Sequence, residues 1–215
     1  MDKEQLIEKT VEYVKRSMEN GEVGHDWSHV ERVWKMAKRI GIEEKADMFI
    51  VEMAALLHDV ADWKFHGEGA CESKARTWME TIGVKKEDIE NVVHVIENIS
   101  FKGSGEKEKM STMEGKIVQD ADRLDALGAM GIARAFTFAG HAGNPIYDPE
   151  IKPRVDIKFS EYKECKEPSI NHFYEKLLLL KDRMNTKTGR KLAEQRHKFM
   201  EEYLEEFFKE MGGER

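Results

Sequence analysis

The sequence predicts an all-α fold, and three observations carry that expectation. All four prolines, Pro145, Pro149, Pro153 and Pro168, lie beyond residue 144. Before them, apolar residues recur at i, i+3 and i+4, the period of a helix with one buried face. Capping and stop signals punctuate that pattern at short intervals. Together they read as about seven to nine helices joined by short loops, with no internal repeat and no low-complexity segment.

The first helix is expected over about Lys3 to Glu19, with Leu6, Ile7, Thr10, Val11, Val14 and Met18 on one side and a stop near Asn20-Gly21. The second opens on a capping box, Ser28-His29-Val30-Glu31, buries Val30, Val33, Trp34, Ala37 and Ile40, and stops at Gly41. A third runs from about Glu43 to His58 through Ala46, Phe49, Ile50, Met53, Ala54 and Leu57. A fourth spans about Ala70 to Ile82, with Gly83 as its stop, and a fifth carries Ile89, Val92, Val93, Ile96 and Ile99. A second capping box, Ser111-Thr112-Met113-Glu114, opens a sixth over Ile117, Val118, Ala121 and Leu124, which Gly128 and Gly131 bend before Ile132, Ala135 and Phe136.

Residues 139–168 differ in kind. They hold every proline together with Gly140, Gly143, Asn144 and Tyr147. A loop of that length in a compact domain reads as a functional lid; the alternative is a surface excursion with a short strand at Val155 to Phe159. Two helices close the chain. One starts at Ser169 with Ile170, Phe173, Leu177 and Leu180, and the other carries Leu192, Phe199, Met200, Tyr203, Leu204, Phe207 and Phe208.

Composition narrows the function. A chain of 215 residues can bury a full core without disulfides. Its 35 basic and 42 acidic residues give a net charge of −7, which argues against sequence-independent nucleic-acid binding. An anionic small molecule is still allowed where a local cluster or a metal reverses the field. The most conspicuous apolar block, Leu177 to Leu180, is far too short to span a bilayer, and Met1-Asp2-Lys3-Glu4-Gln5 lacks the apolar core of a signal peptide. Cys71 and Cys165 have no C-x-x-C spacing, so a reduced, cytoplasmic protein is the default. The expected partner is a small molecule, with no nucleic acid and no membrane, and the oligomeric state stays open.

Three places put ligand-type residues where the periodicity would end or bury them: His25-Asp26-Trp27-Ser28-His29, His58-Asp59-Val60-Ala61-Asp62 and Gln119-Asp120-Ala121-Asp122-Arg123-Leu124-Asp125. His58 continues the stripe of Ile50 and Ala54, and a charged Asp59 beside it is costly unless a cation or donors compensate it. Taken alone, the pair also reads as a helix C-cap. Asp122 lies in the apolar half of its helix with Asp125 one turn on, whereas Asp120 points about 200° away and is expected in solvent. Alone, Asp122 and Asp125 beside Arg123 also read as a surface salt-bridge patch. Trp34 and Trp78 sit at core spacing. Trp63 reads equally as a base-stacking ring or a loop anchor.

Together these places resemble the signature of the HD-domain metal-dependent phosphohydrolases: a single His, a His-Asp pair and a distant Asp, here His29, His58-Asp59 and Asp122. The flanking runs His25-Asp26-x-x-His29-x-x-Arg32-Val33, His58-Asp59-x-x-Asp62, Ser100-Phe101-Lys102-Gly103 and Val118-Gln119-Asp120-Ala121-Asp122-Arg123-Leu124 are similar to one bacterial subfamily, as is Ile170-Asn171-His172-Phe173-Tyr174-Glu175-Lys176-Leu177. The resemblance runs from about residue 24 to 195. It implies one helical domain over 1–215, with a core at about 24–140 and terminal helices at about 169–211, and an enzyme similar to nucleotide pyrophosphohydrolases.

That resemblance implies metal ligation by His29, His58, Asp59 and Asp122. Two imidazoles and two carboxylates suit one divalent Mn, Fe, Co, Ni or Mg ion, and zinc is also compatible. Asp62 is expected as acid/base or water-orienting group, and His25, Lys64, Lys102 and Arg123 as phosphate partners. Arg32 is a further candidate. The expected reaction converts a nucleoside triphosphate to a monophosphate and pyrophosphate. A monophosphate phosphatase or phosphodiesterase is the runner-up. A dinuclear-iron oxygenase, which would recruit His66 and His94, and a non-catalytic nucleotide sensor are the alternatives of another class. His141, His172 and His197 read as lid, pocket-edge and surface residues.

Overall fold

In the computed structural model, residues 2–19, 26–60, 70–99, 110–154 and 168–214 are described. Every regular element among them is helical: α1 (Lys3–Ser17), α2 (Trp27–Glu44), α3 (Met48–Leu57), α4 (Ala70–Thr81), α5 (Lys86–Ile99), α6 (Met113–Asp125), α7 (Gly128–Ala142), α8 (Ser169–Glu175), a 3-10 segment (Leu177–Arg183) and α9 (Lys187–Met211). The all-α expectation holds, and no described helix is long and apolar enough to cross a membrane. The expected strand at 155–159 lies outside the described residues.

The chain divides into two compact units, Met1–Phe101 with Lys107–Asp122, and Lys102–Glu106 with Arg123–Arg215. In the first, α3 is the hub and packs against α1, α2 and α5, while α4 packs on α5. Eight of its residues, Phe49, Ile50, Val51, Met53, Ala54, Ala55, Leu56 and Leu57, are buried, so this short helix is enclosed on every side. Asp47 caps its start by accepting from the Phe49 amide. Trp78 on α4 ties back to α1: its ring stacks on Tyr13 at 4.0 Å and its indole N–H donates to the buried Thr10 hydroxyl.

In the second unit, α7 and the 3-10 segment pack on α9, and α8 packs on α7 and the 3-10 segment. Phe173 is fully buried there, between Phe136 at 6.0 Å and Tyr203 at 6.0 Å.

Several boundaries differ from the sequence expectation, each for a local reason. Helix α2 starts at Trp27 because Asp26, not Ser28, is its N-cap. The Ser28 hydroxyl instead donates to the Asp26 carboxylate. Gly41 does not stop α2, which continues to Glu44 and closes on Lys45 at φ 59°. Gly41 is there for clearance, since a Cβ on it would sit 2.9 Å from the Met48 sulfur. At the start of α6 the Thr112 hydroxyl accepts from the Gly115 amide, and Glu114 reaches away to accept from the Asp47 amide, so the expected reciprocal box is not made. Gly128, at φ +71°, does not bend the sixth helix but separates α6 from α7. The run expected as one helix from Ser169 breaks at Lys176 into α8 and the 3-10 segment.

The expected 139–168 loop begins later, because α7 extends to Ala142 and ends on Gly143. Its described ends are tied to α8: the Ser169 amide donates to the Pro145 carbonyl, the Asn171 side chain to Ile151, and the Arg154 amide to the Glu175 carboxylate.

His172 on α8 carries a stability signature. Burial, with the Lys176 ammonium adding to it, pushes its pKa down to about 3. An unfolded histidine titrates at about 6.5, so between these values the unfolded chain holds a proton that the fold excludes. Stability should therefore fall as pH drops through that window. Urea midpoints taken from about pH 7 to about pH 5 should decline more steeply for the wild type than for His172→Gln. Parallel declines would clear His172 of that role.

Candidate metal centre

Two helix ends and one helix body bring the site residues together. Asp26 sets the first: its carboxylate accepts from the His29 amide at 2.9 Å and so fixes the opening turn of α2. Burial would raise the Asp26 carboxyl, but the His29 amide, the Ser28 hydroxyl and Arg32 together hold it below the usual range. Arg32 in turn donates to Ser28 at 3.0 Å. His29, one turn into this network, is 4% exposed.

The second end is the C-terminus of α3. His58 is its C-cap, and the helix stops there. The His58 side chain is 5% exposed, and its Nδ1 lies 2.9 Å from the Ala55 carbonyl oxygen. A carbonyl accepts only, so Nδ1 is the donor here, and in the neutral ring Nε2 presents a lone pair. That Nε2 is buried, with no hydrogen-bond partner among the described residues. Asp59 follows in the turn and is half-buried.

Asp122 comes from α6. Between Ile117 and Asp125 every residue is buried except Asp122. Its Oδ1 lies 3.5 Å from His29 Nε2 and 4.0 Å from His58 Nε2. The His29 and His58 rings stand edge to face with centroids 5.4 Å apart. Asp120 corrects the sequence expectation: it is 0% exposed, because α6 is enclosed on the face that was expected to meet solvent.

His29, His58 and Asp59 offer ligand atoms that all lie within 4.8 Å of one another. An ion with ligand bonds of about 2.0–2.4 Å spans about 4–4.8 Å between opposed ligands. The buried His58 lone pair supplies the chemical half of the fit. An unpaired nitrogen facing a second imidazole and carboxylates is costly in an empty pocket and stabilising opposite a cation. Among the described residues no cysteine joins the cluster: Cys71 is buried, and its Sγ lies 3.3 Å and 3.2 Å from the Leu57 and His58 carbonyls. Nearby, Lys74 donates to the Val60 carbonyl at 3.1 Å. No sequence pattern pointed to Cys71 and Lys74, since nothing along the chain marks a carbonyl as needing a donor from another helix.

The remaining expected site residues fall elsewhere. His25, Asp62, Lys64 and Lys102 lie outside the described residues, as do His66 and Trp63. Arg123 is 6% exposed and donates to the Arg183 carbonyl, so its guanidinium anchors a helix end. Asp125 pairs with Arg134. His94 is half-buried on α5 and is not among the clustered ligand atoms. His197 pairs with Glu201 at 3.2 Å.

Comparison with known proteins gives the family. The HD domain family matches residues 26–127. The protein YpgQ of Bacillus subtilis (strain 168) is 46% identical over 193 residues, covering 88% of this chain and 86% of that one. The crystal structure of an HD-superfamily hydrolase from Bacillus thuringiensis is similar at a TM-score of 0.79 and 46% identity, over 98% of this chain and 99% of that one. A crystal structure of Bacillus subtilis YpgQ in complex with ADP superposes at a TM-score of 0.77, with 38% identity over 98% of this chain and 97% of that one.

The cluster predicts metal-linked stability. Mn²⁺ or Co²⁺ at about a hundredfold excess over its dissociation constant should add about 2.7 kcal/mol to the wild type, read as a raised thermal midpoint that EDTA reverses. His58→Ala and Asp59→Ala should each lose that shift. A wild-type midpoint indifferent to both ions would remove metal binding from this cluster.

Proposed function

This chain belongs to the HD-domain superfamily and is an HD-superfamily hydrolase, and on that premise we propose that it cleaves a nucleoside triphosphate to the monophosphate and pyrophosphate, using one divalent metal held by His29, His58, Asp59 and Asp122. The observation that carries the proposal is the buried Nε2 of His58, which has no hydrogen-bond partner among the described residues and lies 4.0 Å from Asp122. The ADP complex of YpgQ supports a nucleotide as the substrate class.

Each residue has a separable task. The Ala55 carbonyl holds His58 Nδ1 and so orients the ring with Nε2 toward the cluster. Asp26 fixes the turn from which His29 projects. The two carboxylates balance a dication, and Asp122, at 37% exposed, is where the site opens toward substrate. A divalent ion in this set supplies Lewis acidity to a phosphoryl oxygen and lowers the pKa of the attacking water.

Asp62 is assigned to take the proton from that water. Water oxygen bonds to the α-phosphorus, the bond from that phosphorus to the bridging oxygen breaks, and pyrophosphate leaves. The net charge of −7 repels a polyanion at long range, so the phosphate chain must be held by local cations. His25, Lys64 and Lys102 are proposed for that rim. Arg123, committed to the Arg183 carbonyl, is assigned the structural role instead.

A panel of nucleoside mono-, di- and triphosphates with Mn²⁺, Co²⁺, Ni²⁺ and Mg²⁺ should give pyrophosphate from triphosphates and little orthophosphate. Orthophosphate as the sole product would put the terminal phosphorus at the metal, and turnover of monophosphates alone would make the enzyme a nucleotidase. Asp62→Asn should keep the metal and lose roughly 10²–10⁴ in kcat. Full activity in that variant would move the proton transfer to another group.

A further inference from the structure

The turn that carries His58 and Asp59 is held from outside its own helix. A helix leaves its last carbonyls without intrahelical partners, and at the end of α3 and in the turn beyond it those carbonyls bracket the residues that the metal reading needs. Two side chains from the opening turns of α4 meet them. Cys71 Sγ lies 3.3 Å from the Leu57 carbonyl and 3.2 Å from that of His58, one thiol proton shared between two acceptors. Lys74 Nζ donates to the Val60 carbonyl at 3.1 Å. Asp59 therefore sits between two anchored carbonyls, and the His58 ring is independently tied to Ala55. The turn itself adds one bond, from the Val60 amide to the Leu57 carbonyl at 3.3 Å.

We propose that Cys71 and Lys74 are positioning residues of the metal centre, holding the His58-Asp59 turn so that the His58 and Asp59 ligand atoms converge. The inference rests on the metal reading above and deepens it. A thiol is a weak donor and, buried, would do as well lined up on apolar neighbours. Its place here is opposite the two carbonyls that flank the His58 backbone. Lys74 makes the sign of the effect diagnostic. Its ammonium brings positive charge to a turn whose side chains are to hold a dication, so acting through its field alone it would weaken metal binding. Acting through the Val60 carbonyl, it strengthens binding by keeping the turn in place.

The test uses the full chain with Mn²⁺, its dissociation constant read by titration against a chromophoric chelator, beside Cys71→Ala, Cys71→Ser and Lys74→Met. The expected result is a weakening of roughly 10–100-fold in Cys71→Ala and in Lys74→Met, the span usual for groups that orient metal ligands. Cys71→Ser, which keeps a donor, should recover part of the loss. Arg76→Ala serves as the control. It removes the paired hydrogen bonds to Glu90 that join α4 to α5, at 2.7 and 2.8 Å, without touching the turn, and should leave metal affinity unchanged. Wild-type affinity in Cys71→Ala, tighter binding in Lys74→Met, or equal weakening in Arg76→Ala would each overturn the proposal. Hydrogen exchange on the metal-free protein keeps the two readings apart. A Val60 amide protected in the wild type and fast in Cys71→Ala supports the positioning even if the wild type takes up no Mn²⁺, a result that would sink only the metal reading. An amide equally protected in both would overturn the positioning.

Discussion

A buried imidazole nitrogen with its lone pair pointed at other ligands is the constraint on which the rest of the site depends. Among the described residues His58 Nε2 has no hydrogen-bond partner, and leaving such an atom unsatisfied costs about 1–3 kcal/mol. The fold spends that stability in one place and surrounds it with order. Helix α3 is enclosed on all sides, so its end cannot drift. The other ring nitrogen is committed to the Ala55 carbonyl, which fixes the orientation of Nε2. His29 is brought opposite by a capped helix start, and Asp122 by the one open position of an otherwise buried helix stretch.

The same logic separates two carboxylates that lie within a turn of each other. Asp125 is neutralised by Arg134, and the partners of Asp122 at the site are two imidazoles. An arginine beside Asp122 would satisfy it and exclude a cation. Two imidazoles offering lone pairs would leave that charge to the proposed dication. The chemistry of the site thus follows as much from which carboxylate lacks an arginine as from which residues are present.

Much of this was legible in the sequence, and the parts that were not share a cause. Helical periodicity located α1, α4 and α5 within a few residues, because each buries one face and a single stripe is enough to see it. His58 was legible for the same reason, as a polar residue on an apolar stripe. Asp120 was misplaced because periodicity assumes one solvent face, and α6 has almost none. Asp26 was missed as a cap because Ser28 offered the stronger local pattern, and which oxygen meets the His29 amide is decided by three-dimensional geometry. Gly41 read as a stop when its role is clearance for Met48, a contact between helices. Glu114 likewise leaves its own helix start to serve that of α3.

Contacts between helices, rather than propensities within them, therefore decide how the helix ends are finished, and the helix ends are where the chemistry lies. The C-terminus of α3 carries the negative end of its peptide dipoles, a favourable place for a cation and an unfavourable one for an unneutralised aspartate. Asp59 follows that end in the turn. Local propensity gives no reason to put an aspartate there. Its position suits the proposed dication, which would meet the dipole and imidazole of α3 and the charge of Asp59, with α4 holding the carbonyls on either side.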